Sequence, residues 1–223
     1  GLSCAAAFGA NGKRAAFLGL TQQLVGEQAL YAKPFHYCGS IGPLTTNPRL
    51  RRCCMAIGDA LAAEFGLLGL FGVDAICCND EAWPVEVNPR YTASMEIVEH
   101  SLGLPLMTWH RDACVAGTLP AATLFRDIER QRSKERFLAK AILFAPGTLK
   151  VPDLSEWLRE PLESSGRWPV PRIADVPRAG EQIVSGRPIC TVFAVECTVE
   201  ACRHALIEAA RRLFDQFVPD HPG

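Results

Sequence analysis

The run PVEVNP, at residues 84–89, limits the possible folds of this chain more than any other segment. It alternates valines, which favour strands, with polar side chains, and successive side chains of a strand point to opposite faces of the sheet. Glu86 and Asn88 are therefore predicted to share one face, and Val85 and Val87 the other. A buried valine face behind a carboxylate and an amide oxygen suits a strand that binds a hard cation.

A second strand candidate, which ends near Cys78, precedes this run. If a three-residue loop joins the two strands, Cys78 pairs with Ala82 and Asp74 lies opposite Glu86. Two carboxylates in that arrangement repel each other unless a positive charge lies between them. Asp74, Glu86 and Asn88 thus form a candidate set of three oxygen donors, which suits Mg2+ that also binds nucleotide phosphates.

The segments GVDAI and VEVNPR resemble the metal-binding strands of the ATP-grasp superfamily, where an acid, a hairpin and an E-x-N-x-R strand follow one another. The resemblance implies that Asp74, Glu86 and Asn88 hold Mg2+ against the phosphates of ATP, with Glu86 and Asn88 serving the bound nucleotide. It also implies that Arg90 is a catalytic residue that contacts the anionic substrate or the acyl phosphate. A guanidinium just before a predicted helix N-terminus agrees with that role, because both favour an anion.

Further segments, at residues 12–26 and in the run FHYCGSIGPL, resemble carboxylate–amine ligases near the tyramine–glutamate ligase. That branch implies an ATP- and Mg2+-dependent ligase that joins a small-molecule carboxylate to an amine through an acyl phosphate. The alternatives are a biotin-carboxylase-like carboxylase and a non-catalytic, truncated ATP-grasp binding module. Thr92 and Ser94 follow Arg90 where biotin carboxylase has residues that handle bicarbonate, and this disfavours the carboxylase.

The resemblance also implies a fold and a division into domains. The expected fold class is α+β, with the C-terminal part of an ATP-grasp fold (an antiparallel sheet with packed helices) followed by a β-rich lobe and a closing helix. We expect residues 1–108 to be the C-terminal ATP-grasp subdomain, on the metal and phosphate side, and residues 109–223 to be the β-rich lobe. The family's nucleotide site also uses lysines and a glycine-rich loop from an earlier subdomain, so the chain is expected to be N-terminally truncated.

Turn and capping signals predict the individual elements. Asn11-Gly12 predicts a type I′ turn in an opening hairpin. Asn47 as N-cap, with proline at the next position, predicts a helix that ends at Gly66. The remaining predictions are a loop at 33–44, a helix from Thr92 or Ser94 to Leu102, strands at 136–144, 181–184 and 189–195, and a helix at 199–214.

Charge and cysteine content limit the environment. The 23 basic and 24 acidic residues nearly cancel and form no long runs, which argues against nucleic acid or an anionic membrane surface as partner. The ten cysteines include no CxxC spacing, and no signal peptide is recognisable. We therefore expect reduced thiols in a cytoplasmic protein whose partners are small molecules, with a homodimer possible.

Overall fold

The computed structural model describes residues 1–121, 136–163 and 169–217. The elements, in chain order, are β1 (Leu2–Asn11), β2 (Ala15–Val25), β3 (Tyr37–Gly42), α1 (Pro48–Phe65), β4 (Leu68–Cys78), β5 (Glu81–Asn88), α2 (Met95–Leu102), α3 (Leu106–Ala116), β6 (Phe137–Phe144), β7 (Leu149–Lys150), α4 (Ser155–Leu158), β8 (Ile173–Ala174), β9 (Gln182–Ile183), β10 (Pro188–Glu196) and α5 (Val199–Phe214). Strands and helices are both abundant, and the predicted α+β class is confirmed.

Contacts between Cα atoms divide the chain into two compact units. The first contains Gly1–Gln23 and residues 42–121, and the second contains Leu24–Ile41 and the described residues from Arg136 onward. The predicted boundary between residues 108 and 109 lies within α3, which packs against β4 and β1 of the first unit. The division into domains 1–108 and 109–223 stays a prediction.

The strands of the first unit follow the order β5-β4-β1-β2, and each neighbouring pair is antiparallel. Helix α1 covers one face of this sheet, where Phe8, Phe71 and Cys54 belong to one apolar cluster. Helices α2 and α3 cover part of the other face, where Leu70 and Met95 belong to a second cluster. The sheet buries apolar residues on both faces, and polar side chains are left at one end of the second face.

In the second unit the strand order is β3-β6-β10-β8, and β7 and β9 form a separate two-stranded sheet. Helix α5 packs on β10 and β6 with Cys202, Leu206 and Leu213 fully buried. This β-rich arrangement with a closing helix agrees with the predicted lobe, and α5 has the predicted bounds.

The prediction of helix α1 is also confirmed. Both ends of this helix are set by local chemistry. The Asn47 side chain accepts hydrogen bonds from the backbone N–H groups of Arg49 and Leu50, at 3.0 and 2.9 Å. Pro48 occupies the first helical position, and Gly66 ends the helix in the left-handed conformation at φ 60°. These are the residues from which the helix was predicted.

Three local predictions are wrong. The segment predicted as a loop at 33–44 contains β3, whose glycines and serine carry no alternating pattern. Asn11 does not have a positive φ, so Asn11-Gly12 does not form a type I′ turn. Instead, the Asn11 side chain accepts hydrogen bonds from the backbone N–H groups of Lys13 and Arg14. The β4–β5 loop has two residues rather than three, since Cys78 pairs with Glu81.

Candidate functional site

The candidate site lies on the β4–β5 hairpin of the first unit. Asp74 pairs with Glu86, and Gly72 pairs with Asn88. Paired residues of neighbouring strands project on the same side of a sheet, so Asp74, Glu86 and Asn88 share one face. The predicted register at Asp74 and Glu86 is confirmed, although the loop count that led to it was wrong.

A β-bulge accounts for this outcome. The two-residue turn, with Asn79 and Asp80 at φ 51° and 62°, moves the pairing by one residue from that of a three-residue loop. Between the pairs Asp74–Glu86 and Ala75–Pro84 the register shifts, because Val85 is an extra residue in β5. The bulge therefore restores the alignment of the two carboxylates.

The Asp74 carboxyl is half-buried, and burial is the main reason that its pKa is raised above the ordinary value for aspartate. The negative charge of Glu86 raises this pKa further, while a hydrogen bond from Gln23 and the positive charge of Arg90 lower it. An opposite charge between the two carboxylates would remove the repulsion that the pairing imposes. Glu86 itself is exposed to solvent.

Two residues that the sequence did not suggest complete this face. The Gln23 amide of β2 lowers the pKa of Asp74, and the Ser3 Oγ of β1 donates to the Gln23 Oε1 at 2.8 Å. Ala5 is the residue of β1 that pairs with Asp74, and its side chain is only a methyl group. Its small size lets a side chain of β2 reach Asp74 across β1. In the sequence, the only signal was a polar run, Thr21 to Gln23, inside an apolar strand.

Arg90 lies directly beside the candidate metal ligands. Its Nη2 donates to the Asn88 Oδ1 at 3.3 Å, and its Nη1 donates to the backbone carbonyl of Tyr91 at 3.2 Å. The side chain is exposed, so its remaining N–H groups can reach an anion. Arg90 is thus brought together with Asn88, as the E-x-N-x-R spacing predicts.

Thr92 packs against the same face. A Cβ atom built on Gly72 would lie 2.7 Å from the Thr92 Cγ2 and 3.2 Å from its Oγ1. Because Gly72 and Asp74 are two residues apart in one strand, this places Thr92 on the side of the two carboxylates. Its hydroxyl lies 3.1 Å from that of Ser94, at the N-terminus of α2.

The expected buried valine face is wrong. Val85 is 70% exposed and Val87 is 36% exposed. Strand β5 is the edge strand of this sheet. Within the described residues, helix α1 approaches β5 near Ala82, where the Cys53 thiol contacts the Ala82 backbone. The alternation of valines and polar residues therefore does not indicate a buried face, because other residues cover only the start of β5.

The donor set fits Mg2+. Two carboxylates and one amide oxygen on one face leave room for water and phosphate oxygens, as Mg2+ requires. Among the residues that the structure describes there is no group of three or more His, Cys, Asp or Glu side chains that could hold a metal by itself. Asp74, Glu86 and Asn88 therefore suit a metal that a nucleotide helps to bind, rather than a closed structural site.

No helix in the described part of the chain has the length and apolar character needed to span a membrane.

All ten cysteines lie in the described residues, and all have free thiols.

Three of the solved structures with a similar fold are enzymes or enzyme domains. The L-amino acid ligase from Bacillus licheniformis matches with a TM-score of 0.68 and 15% identity, over 99% of this chain and 55% of that one. Phosphoribosylglycinamide synthetase from Anaerococcus prevotii matches with a TM-score of 0.61 and 15% identity, over 98% and 53%. The biotin carboxylase domain of a single-chain bacterial carboxylase matches with a TM-score of 0.61 and 15% identity, over 97% and 48%.

The chain thus spans about half the length of these structures. No curated protein sequence is similar enough to this chain to count as a match. The model of a protein family described as an ATP-grasp domain matches residues 1–94, which include Asp74, Glu86, Asn88 and Arg90. Residues 1–94 are therefore similar to the ATP-grasp domain family, as the E-x-N-x-R strand predicted.

Proposed function

We propose that this chain is part of an ATP- and Mg2+-dependent ligase that joins a small-molecule carboxylate to an amine. The observation that carries the proposal is the convergence of Asp74, Glu86, Asn88 and Arg90 on one face of the β4–β5 hairpin. This arrangement combines oxygen donors for a cation with a guanidinium for an anion. Ligation that passes through an acyl phosphate needs both.

The proposed reaction has two steps. A carboxylate oxygen of the first substrate attacks the γ-phosphorus of ATP, which forms an acyl phosphate and releases ADP. The amine nitrogen of the second substrate then attacks the acyl carbon, loses a proton and releases inorganic phosphate. When bound at Asp74, Glu86 and Asn88, Mg2+ would neutralise charge on the phosphates of ATP.

Arg90 acts on the anion in this scheme. Its guanidinium is held by the Asn88 side chain and the Tyr91 carbonyl, and it keeps further donors exposed. Preorganised donors of this kind stabilise charge that develops in a transition state. A planar guanidinium also matches carboxylate and phosphate oxygens better than a lysine ammonium does.

The residues after Arg90 favour a ligase over a carboxylase. Thr92 packs beside Gly72 on the face of the candidate ligands, and its hydroxyl contacts that of Ser94. These side chains are neutral and hold no carboxylate that could act as a base toward bicarbonate. The fold likeness to a biotin carboxylase domain does not distinguish the two activities.

The test is ATP-dependent ADP release with a panel of amino-acid and amine substrates. Arg90→Ala is expected to lower kcat by about 100-fold or more with ATP binding nearly unchanged, because Arg90 acts mainly on the transition state. Glu86→Gln is expected to lower turnover at low Mg2+ and to recover in part as Mg2+ is raised.

Arg49→Ala is the matched control, since Arg49 is an exposed arginine that pairs with Glu81 at the other end of β5. It should keep native turnover. If Arg90→Ala is as active as the native protein while Glu86→Gln is inactive, the metal site stands and the role of Arg90 is wrong. If no substrate of the panel gives ADP release above background, the non-catalytic binding module is favoured instead.

A further inference from the structure

A hydrogen-bonded pair of side chains, Ser3 and Gln23, lies beside the Asp74 carboxylate. The Ser3 Oγ donates to the Gln23 Oε1 at 2.8 Å, and the Gln23 amide is close enough to Asp74 to lower the pKa of that carboxyl. The amide of glutamine has one end that accepts and one end that donates. Because the oxygen accepts from Ser3, the Nε2 group is the end that is left to face the Asp74 carboxylate as a donor.

The opposite orientation of this amide is unfavourable. It would place the Gln23 oxygen against a carboxylate oxygen of Asp74, and two acceptors without a proton between them repel. The Ser3 hydroxyl and the Asp74 carboxylate therefore select the same orientation. All three side chains are partly buried, which limits exchange with water.

The backbone brings these three residues together. Gln22 pairs with Cys4, so Gln23 follows on β2 at the level of Ser3 on β1. Asp74 pairs with Ala5 on the other side of β1. The small side chain of Ala5 leaves space above β1 for Gln23 to approach Asp74 diagonally.

We propose that Gln23, oriented by Ser3, is a positioning residue that holds the Asp74 carboxylate on the side of Glu86 and Asn88. The inference rests on the proposed function, since it assumes that Asp74 serves a cation. Carboxylates that bind metals are themselves hydrogen-bonded by outer residues, and loss of such a partner typically costs 10- to 100-fold in metal affinity or activity. Neither Gln23 nor Ser3 would touch the metal or the substrates.

The experiment is a Mn2+ titration of the protein by electron paramagnetic resonance, at a fixed concentration of ADP. Gln23→Leu removes the donor and keeps a side chain of similar size. Its Mn2+ dissociation constant is expected to rise by about 10- to 100-fold. Ser3→Ala leaves the amide in place but free to rotate, so a smaller rise, of a few fold, is expected. It is also the second variant should Gln23→Leu fold poorly.

Gln22→Leu is the matched control. Gln22 precedes Gln23 and pairs with Cys4, which lies in the apolar cluster under α1 on the opposite face. This variant should bind Mn2+ as the native protein does. Thermal unfolding without metal should be unchanged in Ser3→Ala, which separates positioning from a general loss of stability.

Asp74→Asn decides which proposal a negative result affects. If Asp74→Asn loses Mn2+ binding while Gln23→Leu and Ser3→Ala bind it as the native protein does, the positioning role is wrong and the proposed site stands. If Asp74→Asn itself binds Mn2+ with native affinity, the proposed metal site is wrong, and the role of Gln23 falls with it.

Discussion

Asp74 lies directly opposite Glu86 across the antiparallel pair β4 and β5. Like charges in this position destabilise a sheet, and the half-burial of Asp74 adds to that cost. The pair is therefore poor for stability by itself. A cation bound between the carboxylates would make the pair favourable, which is the arrangement expected of a functional site rather than of a structural one.

Asp74→Asn is expected to stabilise the protein at neutral pH in the absence of metal. The pKa of Asp74 is raised in the folded state, so its protonated form favours folding and this contribution is lost as pH rises through the folded pKa. Asparagine stays neutral at every pH, so the variant keeps this contribution to the free energy of unfolding when the pH rises. In urea unfolding with EDTA, the advantage of the variant should be largest near pH 7.

That advantage should vanish below about pH 4, the ordinary range for an aspartate carboxyl. Asp80→Asn, in the exposed turn between β4 and β5, controls for the loss of one negative charge. An Asp74→Asn protein less stable than the native one at pH 7 would contradict the prediction.

Gly72→Ala is expected to destabilise the protein by about 1–3 kcal/mol, the range for an overpacked site. The new Cβ would lie 2.7 Å from the Thr92 Cγ2, closer than real Cβ contacts. Adding Thr92→Ser removes that methyl group, so the double variant should recover most of the loss. Gly9→Ala, in β1 with nothing within 4 Å of the added atom, is the control in denaturant unfolding.

Asn47→Ala should cost about 1 kcal/mol of stability, as is usual when an N-cap side chain is removed. Its oxygen accepts two backbone hydrogen bonds at the start of α1, and alanine leaves both donors to water. The exposed Thr45 lies two residues earlier, and Thr45→Ala should change stability by less than about 0.5 kcal/mol. The free energies of unfolding are measured with urea. If both variants lose the same stability, the loss in Asn47→Ala is not caused by removal of the cap.

Thiol titration should find ten free cysteines after denaturation without reductant. In the native protein, the exposed thiols of Cys78, Cys114 and Cys197 should react fastest, and the buried thiols should react only as the protein opens. Fewer than eight thiols in the denatured protein would contradict the expected reducing compartment.

The sequence by itself determined the elements whose ends depend on local chemistry. Asn47, Pro48 and Gly66 delimit α1 because capping groups lie within a few residues of the bonds they satisfy. Helix α5 was equally predictable from its apolar stripe. The spacing of Glu86, Asn88 and Arg90 was also enough to predict the similarity of residues 1–94 to the ATP-grasp domain family.

The tertiary structure decided what depends on distant segments. Strand β3 has no pattern of its own and becomes a strand only beside β6. The alignment of Asp74 with Glu86 depends on a bulge at Val85 that compensates for a shorter turn, and a single-residue error in either would have moved one carboxylate to the other face. Gln23 reaches Asp74 because three strands lie side by side and the middle one carries an alanine there. Local signals act over a few residues, whereas the pairing of β3 with β6 and the approach of Gln23 to Asp74 are set by packing between segments that lie about 50 to 100 residues apart.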